Sequence, residues 1–496
     1  MNKSAGVLLG IIVAGAAIHT AGAWYTGTQL EGVLNTEIKR ANEQLGDALV
    51  GTNTTASIEL VSLQTHLYSS TAQYRLNFKN LEPGSENVEL LVLENLEHGP
   101  LPFSRVKQLK LWPVLASSQY QLEKNPLTEK WFAATQGVSP LNGQMTLGYD
   151  RSITGTLSVL PFELAPDADS AVKFSGLNLA MSLSSNAEQV KLDGFMEHLA
   201  LRLVSADRVP MRFEFNGLTV ASDLHKSPFD FYIGGSVVEL KDTQMSFGDN
   251  QPTLVFKQIE QRDNLQVTGD FLSASLAYKI AGISYADKSI GSMQMAWSAK
   301  QVDVPALKAL GEMYQAKLQA PEQQAAAARG EVPQIAFSAA EQALLQIELG
   351  KLLAGKPQLA LDNLSLKTAN GESHLSLAVD LAKPASFDLA PDEQLKQVLA
   401  RLQAQARVSK PMLLDLTSLQ VELDAQPSAD AVKAQAMMLS SAYGRMLLST
   451  GLFKEEGENL VSNLNYAEQQ VDLNGQKISL EQFVMLMMAN LGGSRD

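Results

Sequence analysis

Ala72-Gln-Tyr-Arg-Leu-Asn-Phe78 alternates apolar and polar side chains at every step, the period of a strand that buries one face and wets the other. Gln144-Met-Thr-Leu-Gly-Tyr149 and Met211-Arg-Phe-Glu-Phe215 repeat the pattern, with turn-forming residues between such segments. Working outward, the same texture runs from about Ala56 to Ala299. A looser echo recurs in Phe174-Ser-Gly-Leu-Asn-Leu179, Leu192-Asp-Gly-Phe195, Phe215-Asn-Gly-Leu-Thr-Val220 and Leu361-Asp-Asn-Leu-Ser-Leu366. Each reads as an apolar residue, a turn-prone pair and a new strand, which predicts a meandering antiparallel sheet built from successive hairpins.

Helical periodicity flanks this region. Leu30, Val33, Leu34, Ile38, Ala41 and Leu45 fall on one face of a predicted helix over 29–50, with Glu31, Glu37, Lys39 and Arg40 among them. After Ala299, Asp303 can cap a helix carrying Leu307, Leu310, Tyr314 and Leu318, which leads into the Ala/Gln-rich stretch 323–329. A second helix is predicted over 338–354, stopped by Lys356-Pro357, then a hairpin of 359–366 with 374–381 about Asn370-Gly371, and a helix over 392–406. Ser428 opens another, with Val432, Ala436, Leu439, Tyr443 and Leu447 in register. Near the end, 460–466 and 470–473 flank a turn, Asn474-Gly475 follows, and Ser479-Leu-Glu-Gln482 forms a capping box before a Met-rich helix.

The first residues read differently. Ala5 to Tyr25 is uncharged over about the length, ~20 residues, that a helix needs to cross a bilayer. Lys3 lies before it and Trp24 and Tyr25 close it, which favours an anchored helix with its N-terminus inside and the body exported. Ala21-Gly22-Ala23 also has the small-x-small form of a signal-peptidase site, so cleavage after Ala23 is the competing reading. The predicted fold is therefore α+β: an extended, mainly antiparallel β-sheet body with packed helices, preceded by one transmembrane helix. The expected division is 1–28 anchor, 29–55 helical connector, 56–300 β-rich region and 301–496 mixed region.

With 45% apolar and 19% charged residues among 496, the chain is globular in composition and large enough for more than one core. Its formal charge of −14 argues against wrapping nucleic acid or spreading over an anionic lipid surface. The absence of cysteine removes disulfides, thiolate metal sites and thiol nucleophiles together.

The chain carries none of the commonest enzyme signatures. There is no GxSxG elbow, no GxGxxG fingerprint, and the approach to a phosphate loop at Gly350–Lys356 ends in Pro357. The histidines, His19, His66, His98, His198, His225 and His374, lack metal-ligand spacing, so no metal and no cofactor are expected. His98 is the most chemically suggestive single residue, but Gly99-Pro100 after it favours a structural role at a fixed turn. Glu94 with Glu97 and Asp167 with Asp169 are candidate carboxylate pairs for a hydrolase. Met437-Met438 and Met485 to Met488 suit either core packing or an adaptable apolar binding surface.

Gly22-Ala-Trp-Tyr-Thr-Gly27, Glu97-His-Gly-Pro-Leu-Pro102 and Asn474-Gly-Gln-Lys-Ile-Ser-Leu-Glu-Gln-Phe483 together resemble the YdgA-like family of proteobacterial inner-membrane proteins, to which no function is assigned. The resemblance spans essentially the whole chain. It implies an inner-membrane protein with a periplasmic body, and structural roles for Glu97, His98, Gly99, Pro100, Asn474 and Gly475, with Trp24 and Tyr25 at the membrane. It supplies no catalytic residues.

Three functions follow as expectations. The first is a non-enzymatic, membrane-anchored periplasmic protein acting by binding, in an envelope-maintenance or scaffold role, with an envelope protein or a second copy of itself as partner. The second is a carrier of lipid or other apolar cargo in a groove of the sheet, which would show as a contiguous apolar concavity where a filled core would otherwise be. The third is a carboxylate-dependent envelope hydrolase, which requires two acids converging in a cleft.

Overall fold

A computed structural model of the chain describes residues 30–49, 54–80, 87–165, 169–204, 209–248, 251–318, 336–425, 428–480 and 482–486. The expected anchor, with Trp24, Tyr25 and Ala23, lies outside them, as do 323–329 and Asp167. No helix among the described residues is long and apolar enough to cross a membrane. The chain divides into two compact units, one made of Met1–Tyr232 with Gly311–Ala336 and the other of Ile233–Leu310 with Phe337–Asp496.

In the first unit, helix α1 (Leu30–Ala48) lays Leu34, Ile38, Ala41 and Leu45 against Ile58, Ala72 and Tyr74. These partners sit on β1 (Thr55–Thr65) and β2 (Ser69–Lys79). The helical spacing meets the strand alternation, and each buried Leu or Ile contributes roughly 1.5–3 kcal/mol. Asn42 fixes the register, donating from Nδ2 to the Ile58 carbonyl at 2.8 Å and accepting from the Ile58 N–H at 2.7 Å.

The sheet continues antiparallel through β3 (Val88–His98), β4 (Ala116–Leu122), β5 (Leu141–Leu147) and β6 (Ile153–Val159). From β6 it passes to β9 (Leu177–Leu183), β10 (Gln189–Val204) and β11 (Pro210–Lys226). Two short strands, β7 (Phe162–Leu164) and β8 (Ala171–Phe174), share the β9 edge of β10. A second core gathers Met145, Leu147, Ile153, Met181, Leu183, Val190 and Leu192. Two short helices, α2 (Phe103–Lys107) and α3 (Glu129–Ala134), sit in the connections flanking β4.

The second unit is a meander. Strands β12 (Tyr232–Phe247), β13 (Leu254–Thr268), β14 (Phe271–Tyr285), β15 (Lys288–Asp303), β16 (Gln358–Lys367), β17 (Glu372–Leu381) and β18 (Leu399–Ser409) pair antiparallel in chain order. Beyond β18 come β20 (Asn459–Ala467), β21 (Gln470–Leu473) and β22 (Gln476–Ser479), with β19 (Lys454–Glu456) also on β20. After β15 runs α4 (Val304–Leu318), whose Ala306 N–H is held by Asp303 Oδ1 at 2.8 Å as the cap predicted. Helices α5 (Ala339–Ala354), α6 (Pro391–Val398), α7 (Lys410–Ala425) and α8 (Ala429–Ser449) complete it. Ser338 and Glu341 form a reciprocal capping box at α5.

Two expectations fail for identifiable reasons. The predicted helix over 392–406 stops at Val398, and 399–409 is β18. Leu402, Ala404, Ala406 and Val408 alternate with Gln403, Gln405 and Arg407, and pairing on both sides overrides the helical preference of Ala, Gln and Arg. Of the four turn-like echoes, only Ser175-Gly176 marks a change of strand, with Gly176 at φ 97°. The others lie inside strands. Gly194 accommodates the Leu179 side chain, which a Cβ would approach to 2.7 Å. Gly217 takes φ 66° within β11, and 361–364 is an irregularity in the β16–β17 register. Helix α7 was not anticipated.

Candidate functional site

Alternation places residues two apart on one face of a strand, and the pairing registers carry that face from strand to strand. On β14, Leu272, Ala274, Leu276, Tyr278 and Ile280 are half-buried while Ser273, Ser275, Ala277 and Lys279 between them are exposed. Opposite the first set stand Val267, Leu265 and Ile259 on β13, and Val302, Ala299, Trp297, Met295 and Met293 on β15. The rows continue through Leu366, Leu364, Leu361 and Leu359 of β16 to Leu375, Leu377 and Val379 of β17. One face of the second unit is thus apolar over five strands. The reverse face of β12–β13 carries an Arg262–Glu260 ion pair at 2.7 Å.

What distinguishes this face is how little covers it. No residue of β13, β14 or β15 is fully buried. Trp297 is 45% exposed and Leu359 46%. A filled core would bury such residues almost completely.

Helices bracket the strand ends. Lys288 pairs with Glu422 of α7, and Asp415 of α7 holds the β16–β17 turn through Thr368 Oγ1 at 2.5 Å, Asn370 N–H at 3.0 Å and Asn370 Nδ2 at 2.7 Å. At the other end, Gly355 after α5 lies against Phe271, whose ring a Cβ would approach to 2.8 Å.

The apolar face carries one acid. Asp263, opposite Ser236 on β12 and Leu276 on β14, is half-buried, and burial pushes its carboxyl above the ordinary value while hydrogen bonds to Gln261 and Ser236 pull it back. A carboxyl in an apolar surface offers a hydrogen-bonding position for the polar end of an amphiphile. Sequence reading missed it because nothing in the alternation separates a polar residue on this face from one at a frayed edge.

The family-motif residues lie in the first unit and act locally. Glu97 Oε2 accepts from the Ser104 N–H at 2.8 Å and Ser104 Oγ at 2.6 Å, fixing the start of α2. His98 Nε2 lies 3.0 Å from Ser70 Oγ, and burial lowers the His98 pKa against a weaker opposing hydrogen bond at Ser69. Gly99, joined to Pro100 by a cis bond, passes so close to the Val114 carbonyl that a Cβ would stand 1.9 Å from its oxygen. Glu94 is buried near Tyr74, and it lies three residues from Glu97 along β3, so the two acids occupy opposite faces and do not converge.

The C-terminal motif closes a turn. Asn474 at φ 57° and Gly475 at φ 88° occupy the left-handed region, and Asn474 Nδ2 donates to the Leu452 carbonyl at 2.9 Å. Ser479 and Gln482 make both capping-box bonds, at 3.0 and 3.2 Å. Met437, Met438 and Met485 are exposed, by 52%, 63% and 63%. Among the described residues no three His, Asp or Glu side chains are grouped as a metal would need.

A family model described as "Bacterial protein of unknown function" (DUF945) matches residues 1–481. The chain is 26% identical to Protein YdgA of Escherichia coli K12 over 98% of this chain and 96% of the relative. It is 24% identical to the uncharacterized protein YihF of the same strain over 96% and 97%, and 22% identical to an uncharacterized protein of Haemophilus influenzae over 54% and 74%. No solved structure matches.

Proposed function

The chain belongs to the DUF945 family, and from that premise we propose that it is a non-enzymatic envelope protein, anchored at the inner membrane through residues 1–28 with its body in the periplasm, that binds the apolar chain of a lipid or lipoprotein on the open sheet face of its second unit. The observation that carries this reading is the five-strand apolar face, on which β13, β14 and β15 contain no fully buried residue. Each methylene moved from water onto such a face contributes up to ~0.8 kcal/mol, so a long acyl chain is held without any single strong contact. Asp263, Ser236 and Gln261 give the face one polar position at which a head or linkage group can register.

The test is native mass spectrometry of the full-length protein extracted gently from membranes. Wild type is expected to retain lipid, and the double substitution Leu276→Asp with Ile280→Asp to lose a defined part of it while keeping its circular-dichroism spectrum. Equal lipid in both would end the carrier reading. The scaffold alternative draws on Met437, Met438 and Met485, whose flexible exposed thioethers suit a protein partner. It gains if the wild type is lipid-free and oligomeric.

A further inference from the structure

The first unit carries a second apolar surface, at one end of its sheet. The β1–β2 turn, the β3–β4 loop and the β5–β6 turn lie together there, tied by His98 N–H to the Tyr68 carbonyl at 2.9 Å and Leu115 N–H to the Leu147 carbonyl at 2.9 Å. Leu109 is 84% exposed, Trp112 82%, Leu67 83%, Tyr68 74% and Phe103 65%. Isolated exposed leucines are ordinary, but aliphatic and aromatic residues displayed together on adjoining loops mark an interaction surface. The loop is also built to hold this display. Leu109 is kept at φ 56°, a region that favours glycine, and Gly99 closes the loop base by its contact with Val114.

Charge selects the partner. Residues 99–115 contain Arg105, Lys107 and Lys110 and no acid, in a chain whose formal charge is −14. Lys107 Nζ lies 4.6 Å from the centre of the Phe103 ring. Trp, Tyr and Leu side chains interleaved with Lys and Arg are the chemistry of a bilayer interface, rings at the headgroup level and cations among phosphates. The chain-wide negative charge does not oppose this locally, because fields between exposed charges decay over about 8 Å at physiological ionic strength.

The path of the chain agrees. Asn42 of α1 is bonded to Ile58, and Ala48 leads back to the start of β1, so α1 runs opposite to β1. Leu30 lies twelve residues before Asn42, about 18 Å along a helix, which is about five residues along the strand and reaches Leu63, beside the β1–β2 turn. Helix α1 therefore begins at the end of the sheet that bears these loops.

We infer that the loop surface around Leu109, Leu111 and Trp112 docks into the headgroup layer of a bilayer containing anionic lipid, with Phe103 beside them and Arg105, Lys107 and Lys110 on lipid phosphates. It shares the membrane location with the proposed function and is independent of the sheet face in the second unit. The absence of cysteine allows single labels. Full-length protein carrying a fluorophore at Leu111→Cys, at Ala133→Cys in α3 or at Thr20→Cys is reconstituted into vesicles of phosphatidylethanolamine and phosphatidylglycerol, with brominated acyl chains as quencher. Quenching at 111 is expected to exceed that at 133 several-fold, and to fall when Arg105, Lys107 and Lys110 are all changed to Gln or when only phosphatidylcholine is present. Equal quenching at 111 and 133 overturns the inference, as does a label at 111 shielded already in detergent by a second copy. Unquenched label at Thr20 with quenched label at 111 overturns the anchor reading alone.

Discussion

Asp263 shows how much one residue's surroundings decide. Its folded pKa is raised by burial, so its contribution to stability is full below the unfolded carboxylate value and is lost as pH rises through the folded one. Asp263→Asn should therefore raise the melting temperature at neutral pH and remove a step in stability over the weakly acidic range, read by thermal melts across pH. Unchanged pH dependence would mean the carboxyl is better solvated than its place on the apolar face implies. Tyr120 points the same way in the first unit, its hydroxyl pushed up to about 12 by burial and then by the charge of Glu94. Neither environment was legible in sequence, where Asp263 is one of 53 acids and burial leaves no local mark. The turn residues were legible, because Asn474-Gly475 and Gly99-Pro100 carry their backbone requirement in their own chemistry.

Elements were readable where propensity, pattern and caps agree. Helix α5 has Ser338 and Glu341 at its start and Lys356-Pro357 beyond its end, and it formed where predicted. Strand β18 was not readable, because Leu399-Ala-Arg-Leu-Gln-Ala-Gln-Ala is helix-forming in composition and only β17 and β20 on either side make it a strand. Helix α7 follows directly on β18, so its N-cap Ser409, which accepts from the Met412 N–H at 3.3 Å, is also the last residue of a strand and gives no gap to mark a start. A second anchor is tertiary, three hydrogen bonds from the β16–β17 turn to Asp415. Burial alone would raise the Asp415 pKa, but the bonds from Thr368 and Asn370 outweigh it and lower it. Asp415→Ala should cost about 1–3 kcal/mol, since hydrogen bonds to a charge are lost and the buried Thr368 hydroxyl gives up its acceptor. In wild type that stabilisation is present above the unfolded carboxylate value and lost as pH falls through the lowered one. Chemical denaturation of both proteins, near neutral and near pH 3, measures it; a difference that persists undiminished in acid would assign the effect to packing.

At the scale of the whole molecule, strand alternation predicted a sheet with one apolar face and could not say whether anything lies on that face, since a covered and an open sheet share the same period. The structure supplies that fact for β13–β15. Composition had the opposite defect. A charge of −14 argued against anionic surfaces, yet it averages over the acid-free loop 99–115, whose bases stand beside Leu109 and Trp112. Adjacent residues on one strand give the most direct test of apolar-chain binding. Tyr278 and Lys279 on β14 lie on opposite faces, half-buried and exposed. A benzophenone amino acid placed at each in turn, irradiated in living cells, should yield a lipid-mass adduct on the full-length protein at 278 and none at 279. Adducts of equal yield, none at 278, or a protein adduct in place of lipid at 278 would contradict the account.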